Sequence, residues 1–127
     1  MKKNIAPTAD TINKETPINQ TAELTALENK VWKILRTCND PEVAVNIVDL
    51  GLVYNIEIIP YQHLFNIKIK MTLTSPTCTM GTLIMDEAKR RVSHLPQVAE
   101  VTIDLVFDPP WNKEMMSDQA KLDLGLF

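Results

Sequence analysis

The stretch Met71-Thr-Leu-Thr-Ser-Pro-Thr-Cys-Thr-Met-Gly81 joins two different periodicities, and the rest of the fold follows from it. Before it, apolar residues recur at every second position, which is the period of a half-buried strand. After it, they recur at the i, i+4 spacing of a helix face, which predicts a helix from about Thr79 to His94. Ser75-Pro76 separates the two elements, because proline has no N–H to donate to a strand ladder. The strand positions are Phe65, Ile67, Ile69, Met71 and Leu73, and the helix positions are Met80, Ile84, Ala88 and Val92.

Cys78 lies at this junction, at or next to the predicted helix N-cap. A thiol there faces unpaired backbone N–H groups and the positive end of the helix dipole, both of which favour the thiolate. Gly81, in the first helical turn, would leave room for another molecule to approach the backbone. These features are typical of a reactive or metal-ligating sulfur. A small hydrophobic side chain filling a strand–helix corner would be equally compatible with the stretch, so both interpretations stay open.

The composition indicates one globular domain, with 127 residues, 45% hydrophobic and 23% charged. A net charge of −3 argues against nucleic acid as the main partner, because phosphate binding needs a basic face. No apolar run approaches the roughly 20 residues of a membrane helix. Lys2-Lys3 is not followed by the hydrophobic stretch of a secretory signal. We therefore expect a cytoplasmic protein whose two cysteines are reduced.

The N-terminal part of the chain divides into a tail and a first helix. Residues 1–20 show no apolar period and are interpreted as a mobile tail, which leaves residues 21–127 as the domain. The first helix is predicted from an N-cap at Thr21 to about Thr37. Cys38 continues its apolar stripe and is interpreted as part of the core.

Two more strands and a short last helix complete the predicted order. Residues 52–58 alternate as a first strand, and the turn at 60–63 joins it to the strand described above. Residues 99–107 alternate as a third strand, and a helix capped by Ser117 is stopped by Gly125. The order α-β-β-α-β-α predicts an α+β two-layer sandwich, with a mixed sheet covered by helices on one face. The inward positions of the third strand would be Ala99, Val101, Ile103, Leu105 and Phe107.

The order of the strands brings three unusual segments to one edge of the sheet. A crossover through a helix makes the second and third strands parallel, whereas a hairpin makes the first strand antiparallel to the second. The start of the first strand therefore lies beside the ends of the other two, at the edge where sheets with βαβ units bind ligands. The residues expected in one shared pocket are Asp40, Glu42, Thr74, Ser75, Cys78 and Trp111. Trp32 and Trp111 also have a simpler interpretation as core or rim packing, and Glu87–Arg91 as the solvated side of the second helix.

Neither histidine is expected to serve Cys78 as a catalytic base within one chain. A cysteine hydrolase needs a histidine within hydrogen-bonding reach of the thiol. His63 lies at the far end of the second strand, about 30 Å away at ~3.3 Å per residue. His94 ends the second helix, about 24 Å away at ~1.5 Å per residue. A non-enzymatic role follows, with a thiol-dependent enzyme whose base comes from a dimer mate as the alternative.

A metal site built by one chain would be incomplete. Structural zinc or an iron–sulfur cluster usually takes four ligands, and the sequence has no Cys-x-x-Cys motif or histidine cluster. Cys78 with Asp40 and Glu42 would form an open set of ligands. A second copy of the chain, in a homodimer, or a partner that donates thiolates could complete it.

Three long motifs resemble the SufT/PaaD-like iron–sulfur cluster assembly factors, which have an FSCA-like domain. They are residues 40–54, residues 71–81, and residues 106–111 with 116–122, and the resemblance covers about residues 24–125. It implies an α+β domain that acts in the maturation of iron–sulfur proteins as a carrier, adaptor or scaffold. The implied partners are the iron–sulfur assembly machinery and client apo-proteins.

The resemblance also implies which residues form the functional cluster. Asp40 and Glu42 match the Asp-Pro-Glu motif of the family, and Thr74, Ser75 and Cys78 match its Thr-Ser-Pro-x-Cys motif. Cys78 would then be a transient ligand of an iron–sulfur cluster, with no other cofactor expected.

Two features distinguish the chain from parts of this family. Thr77 and Thr79 stand where relatives often have Gly and Pro. The PaaD branch, whose members belong to ring-oxygenating complexes, typically adds a cysteine-rich C-terminal extension that this sequence lacks. The general assembly branch is therefore favoured, with an accessory subunit of an oxygenase complex as the alternative.

Overall fold

A computed structural model describes residues 18–75 and 80–126 of the chain. The predictions for residues 1–17 and 76–79, which include Cys78, lie outside the described residues. The helices are α1 (Ile18–Leu35), α2 (Gly81–Ser93) and α3 (Asp118–Asp123), and the strands are β1 (Val53–Tyr61), β2 (Leu64–Met71) and β3 (Val98–Leu105). A short 3-10 turn at Lys113–Met115 precedes α3. The predicted α+β order is confirmed.

The sheet has β2 in the centre, with β1 antiparallel and β3 parallel to it. Val53 of β1 and Leu105 of β3 both pair with Met71 of β2. Just beyond this row, the Thr72 N–H donates to the Leu52 carbonyl at 2.8 Å. The start of β1 and the ends of β2 and β3 therefore lie side by side, as the topology predicted. We call this edge the rim.

The central strand shows how one face of the sheet enters the core. Phe65, Ile67, Ile69 and Met71 on β2 are buried, whereas Lys68 and Lys70, which alternate with them, are exposed. Burying each large apolar side chain contributes about 1.5–3 kcal/mol, so this alternation fixes which face the helices cover. The other main core residues are Leu27, Val31, Leu35, Ile47, Leu50, Leu52, Ile84, Ala88, Val92 and Val101.

The predicted alternation of β3 is wrong at both ends. One step along β2, from Phe65 to Asn66, corresponds to two residues on β3, so Ala99 is an extra residue in the ladder. This bulge puts Val98 on the buried face and leaves Ala99 exposed. At the other end of the strand, Leu105 is exposed, as is Phe107 beyond it.

The first helix begins three residues before the predicted start. Thr21 lies inside α1 and is therefore not its N-cap. The helix ends at Leu35, and Cys38 follows in the turn with only 1% of its surface exposed. The Cys38 thiol donates to the Ile34 carbonyl at 3.7 Å. Its interpretation as a core residue is confirmed.

The boundaries of the other two helices are close to those predicted. Met80 is the N-cap residue of α2, and its side chain makes no capping hydrogen bond. In the sequence, Cys78 precedes this N-cap by two positions. Ser117 caps α3 by accepting a hydrogen bond from the Ala120 N–H at 3.1 Å. Gly125, at φ +72°, ends α3 as predicted. None of the described helices is long and apolar enough to cross a membrane.

Candidate functional site

The acidic bend, residues 39–46, connects α1 to the loop before β1. Asp40 is only 2% exposed, and its Oδ1 accepts a hydrogen bond from the Glu42 N–H at 2.8 Å. Its carbonyl accepts from the Ala44 N–H, also at 2.8 Å, and Ala44 has a φ of +59°. A carboxylate that bonds the backbone two residues ahead is a turn-forming group. Asp40 therefore shapes the bend, while the Glu42 side chain is exposed to solvent.

The loop of residues 46–52 packs against the body of the domain. The Asn46 side chain closes it by accepting from the Asp49 N–H at 2.9 Å and donating to Asp49 Oδ2 at 2.8 Å. Ile47 and Leu50 are buried, so apolar contacts hold this segment against the domain. The Ile47 N–H donates to the Cys38 carbonyl at 2.9 Å and so ties the loop to the end of α1.

A C-terminal strap, residues 106–117, holds this loop from the other side. Trp111 is half-buried, and its Nε1 donates to the Leu50 carbonyl at 2.7 Å. The Tyr54 hydroxyl donates to the Pro109 carbonyl at 2.7 Å. Trp111 therefore belongs to the rim as a residue that positions the loop.

Gly51 is the point where the strap approaches the loop most closely. It has a φ of +82°, and a Cβ added to it would lie 2.4 Å from the Met115 carbonyl oxygen. Beside this contact, the Ser117 N–H donates to the Asp49 carbonyl at 2.7 Å. Only glycine fits a backbone with this φ and this neighbour.

The predicted space beside Gly81 is occupied within the chain itself. A Cβ added to Gly81 would lie 2.5 Å from Cδ1 of Leu73, and Gly81 is buried. The expectation that this glycine leaves its backbone open to another molecule is therefore wrong. It allows the start of α2 to pack on the segment that leaves β2.

A cleft of about 340 Å³ lies between the end of α1 and α2. Arg91 spans it by donating to Thr37 Oγ1 at 2.8 Å and to the Glu87 carboxylate. Hydrogen bonds from Arg90 and Arg91 lower the pKa of Glu87. Burial raises the pKa of the Cys38 thiol at the wall of the cleft, and the charge of Arg91 opposes that shift in part. Its environment therefore favours the protonated thiol, which is less reactive than the thiolate.

Arg91 and Thr37 were not among the predicted site residues, since the charged run of α2 was interpreted as solvated. Arg91 is half-buried and connects two helices, so that interpretation is wrong for this residue. A signal was available, because Arg91 follows the buried Ile84 by seven positions, two helical turns, and precedes the buried Val92.

The predicted pocket residues that the structure describes differ in how exposed they are. Thr74 is exposed and Ser75 is half-buried, both in the segment that leaves β2. Among residues 18–75 and 80–126, no group of three His, Cys, Asp or Glu side chains could hold a metal ion. His63 lies in the turn between β1 and β2, at the opposite end of the sheet from the rim, and His94 lies at the C-cap of α2. Whether the pocket assembles around Cys78 stays a prediction.

Comparison with known proteins gives consistent matches over most of the chain. Residues 28–103 match the family model described as iron–sulfur cluster assembly protein. An Fe–S protein maturation auxiliary factor of Porphyromonas gingivalis is 40% identical over 81% of this chain and 95% of its own length. The Fe–S protein maturation auxiliary factor SufT of Staphylococcus aureus is 39% identical over 68% of this chain and 96% of its own length. A crystal structure of the domain of unknown function DUF59 from Bacillus anthracis is 40% identical over 81% of this chain and 95% of that one, with a TM-score of 0.71. The chain thus belongs to the iron–sulfur cluster assembly protein family, as a SufT-like member.

Proposed function

We propose that this protein is a maturation auxiliary factor for iron–sulfur proteins that carries out no catalytic step of its own. It would act as a carrier, adaptor or scaffold between the assembly machinery and client apo-proteins. The names of its relatives support the maturation role, because both the P. gingivalis and the S. aureus proteins are called maturation auxiliary factors. The finer role rests on a pocket around Cys78.

The observation that carries this proposal is the row formed by Val53, Met71 and Leu105 at the rim. In the sequence, Cys78 follows Ser75 by three residues and precedes Met80 by two, so it belongs to the segment that joins β2 to α2. This position in the chain supports a role for Cys78 at the rim.

A single thiolate from Cys78 at the rim would suit transient binding of an iron–sulfur cluster. Iron–sulfur clusters are held mainly by cysteine thiolates, usually four for each cluster. One thiolate at the rim would leave the other positions to a donor or a client, so the cluster would be handed over and not stored. Asp40 would keep the bend in shape, and the exposed Glu42 would orient a client.

Replacement of one cysteine at a time tests this role in cells. We expect Cys78→Ser to lower the specific activity of an iron–sulfur enzyme such as aconitase when demand for clusters is high. Cys38→Ser is the matched control, because it makes the same atomic change at a buried thiol. Unchanged aconitase maturation in the Cys78→Ser strain would contradict the proposal.

Anaerobic reconstitution with iron and sulfide separates direct ligation from simple docking. Visible cluster absorbance that is present in the wild type and absent in Cys78→Ser would support ligation by this thiol. Absorbance that persists in Cys78→Ser would exclude Cys78 as the ligand.

A further inference from the structure

The end of α1 has a basic surface, with Lys30 and Lys33 on the helix and Arg36 just after it, and the nearby Glu28 carboxylate accepts a hydrogen bond from Trp32 Nε1 at 3.3 Å. Lys30, Lys33 and Arg36 are exposed, and among residues 18–75 and 80–126 none of them forms an ion pair. Cations near a helix C-terminus are favoured by the helix dipole, which accounts for part of this pattern. The dipole does not explain the aromatic and apolar surface that adjoins these cations in a chain of net charge −3.

Trp32 lines two hollows next to this basic surface. The first is a hollow of about 570 Å³ lined by Asn29, Trp32, Lys33 and Arg36. The second is a larger hollow of about 800 Å³. Because Trp32 lines both, we treat them as one feature, the Trp32 groove. The apolar part of its larger hollow is formed by Trp32, Val48, Val53, Tyr54, Pro109 and Met115.

The charges divide this groove into two ends. Lys33 and Arg36 line the smaller hollow. Asp108 lines the larger hollow beside Pro109, with Lys70 also on its wall. Acidic groups are therefore attracted to the Arg36 end, whereas at the Tyr54 end the charges of Lys70 and Asp108 offset each other. A ligand matched to these charges has acidic groups at one end and apolar side chains at the other.

We propose that the Trp32 groove binds a short peptide segment of a partner protein, with acidic residues over Lys33 and Arg36 and apolar side chains beside Tyr54 and Met115. The volume of the larger hollow lies in the range that accommodates several apolar side chains. Trp32 is an amphipathic residue of the kind enriched at binding hot spots, and here it lines both hollows. This inference does not depend on Cys78 or on the proposed transfer role.

A second copy of the chain fits this surface less well. A two-fold axis through the basic end would bring Lys33 and Arg36 against their own copies, and an axis at Trp32 would bring them against the end where Lys70 offsets Asp108. Like charges at an interface oppose association. Charge complementarity therefore favours an acidic partner segment over self-association.

Binding can be tested with the full chain and a fluorescein-labelled peptide of about eight residues, since an extended segment of that length spans about 26 Å at ~3.3 Å per residue. The peptide has Asp and Glu in its first half and Leu and Phe in its second. We expect saturable binding by fluorescence anisotropy that weakens as salt is added, because exposed charges are screened. Two control peptides, with Lys in place of the acidic residues or Ser in place of the apolar ones, should bind at least about tenfold more weakly.

Variants of the protein locate the site. Arg36→Glu should weaken binding about tenfold, because it replaces an attraction by a repulsion. Lys89→Glu makes the same change of charge at an exposed position of α2 and should change affinity less than about twofold. Trp32→Ala should weaken binding about tenfold through the loss of the indole surface, with circular dichroism to confirm that it folds.

Four results would overturn the proposal. The first is that the acidic–apolar peptide shows no saturable binding, and the second is that Arg36→Glu and Lys89→Glu lose affinity for it equally. The third is that the peptide with Lys in place of the acidic residues binds as tightly as the original peptide. The fourth is that the wild-type protein is a dimer which Arg36→Glu dissociates. The last result would show that a second copy occupies the groove.

Discussion

Gly51→Ala should be one of the most damaging single-methyl changes in this protein. Gly51 has a φ of +82°, and the added Cβ would lie 2.4 Å from the Met115 carbonyl oxygen and 2.8 Å from its carbonyl carbon. Both atoms belong to the backbone, so no side-chain rotation can relieve the contact. The 3-10 turn at Lys113–Met115 must move away from the loop, or the loop must move away from the turn.

The cost can be divided into three parts. A left-handed backbone costs a non-glycine residue about 1 kcal/mol. Forcing a methyl group into a packed contact costs a further 1–3 kcal/mol or so. Moving the strap also weakens the hydrogen bond from the Ser117 N–H to the Asp49 carbonyl, which contributes about 1 kcal/mol. We therefore expect the free energy of unfolding to fall by about 3–5 kcal/mol, a large share of the roughly 5–15 kcal/mol of a typical domain.

Gly125→Ala provides the matched control, measured by urea unfolding followed by circular dichroism. Gly125 has a similar φ of +72°, but an added Cβ would meet nothing within 4 Å. It should therefore show the backbone cost alone, about 1 kcal/mol or less. If Gly51→Ala loses no more stability than Gly125→Ala, the close approach of the strap to the loop is wrong.

Three further predictions concern single groups. Trp111→Phe removes the donor to the Leu50 carbonyl and should lower the free energy of unfolding by about 1–2 kcal/mol in urea titrations. An unchanged midpoint of unfolding would show that this bond does not hold the strap. Ser117→Ala removes the acceptor that caps the Ala120 N–H and should lower the free energy of unfolding by about 1 kcal/mol in the same titrations, whereas Ser117→Asp should keep most of that stability. Burial raises the pKa of the Cys38 thiol. The stability that comes from its protonated form is therefore fully present below the ordinary thiol pKa of about 8.5, and it is lost as the pH rises through the pKa of the thiol in the folded protein. The wild type should therefore lose more stability than Cys38→Ala above about pH 9 in parallel urea titrations, and identical pH profiles would contradict the burial of this thiol.

Strand polarity and the buried face of the central strand could be predicted from the sequence. Phe65, Ile67 and Ile69 alternate with polar residues, so a shift of one residue would expose all of them. The helix between β2 and β3 then requires a parallel crossover. Local patterns of this kind decide the layout because they repeat along a whole element.

The details of β3 and of the acidic bend could not be read in the same way. Alternation assigned Ala99 to the core, but the bulge beside Phe65 changes which residues face inward, and no periodicity reveals a bulge. The burial of Asp40 has a local signal, since Asn39-Asp40-Pro41 is typical of a turn closed by its own carboxylate. Asp40 was expected in the shared pocket from the order of the strands, and the resemblance implied a functional role for it as well; that role stays a prediction.

Long-range contacts were the least predictable part of the site. The bonds from Trp111 to Leu50 and from Tyr54 to Pro109 join residues 61 and 55 positions apart. The contact between Arg91 and Thr37 spans 54 positions. A periodicity reports which side of an element is buried, but it does not report which partner a polar group finds across the core.

The strap has a consequence for when the rim forms during synthesis. The loop before β1 is held by Trp111 and Ser117, which leave the ribosome more than 50 residues after the loop itself. A nascent chain that ends before the strap can form the β1–β2 hairpin and the bond from the Ile47 N–H to the Cys38 carbonyl, but it lacks the bonds by which Trp111 and Ser117 hold the loop of residues 46–52. The rim is therefore completed only after the strap has been synthesised, and stalled chains with and without the strap should differ in protease protection at that loop.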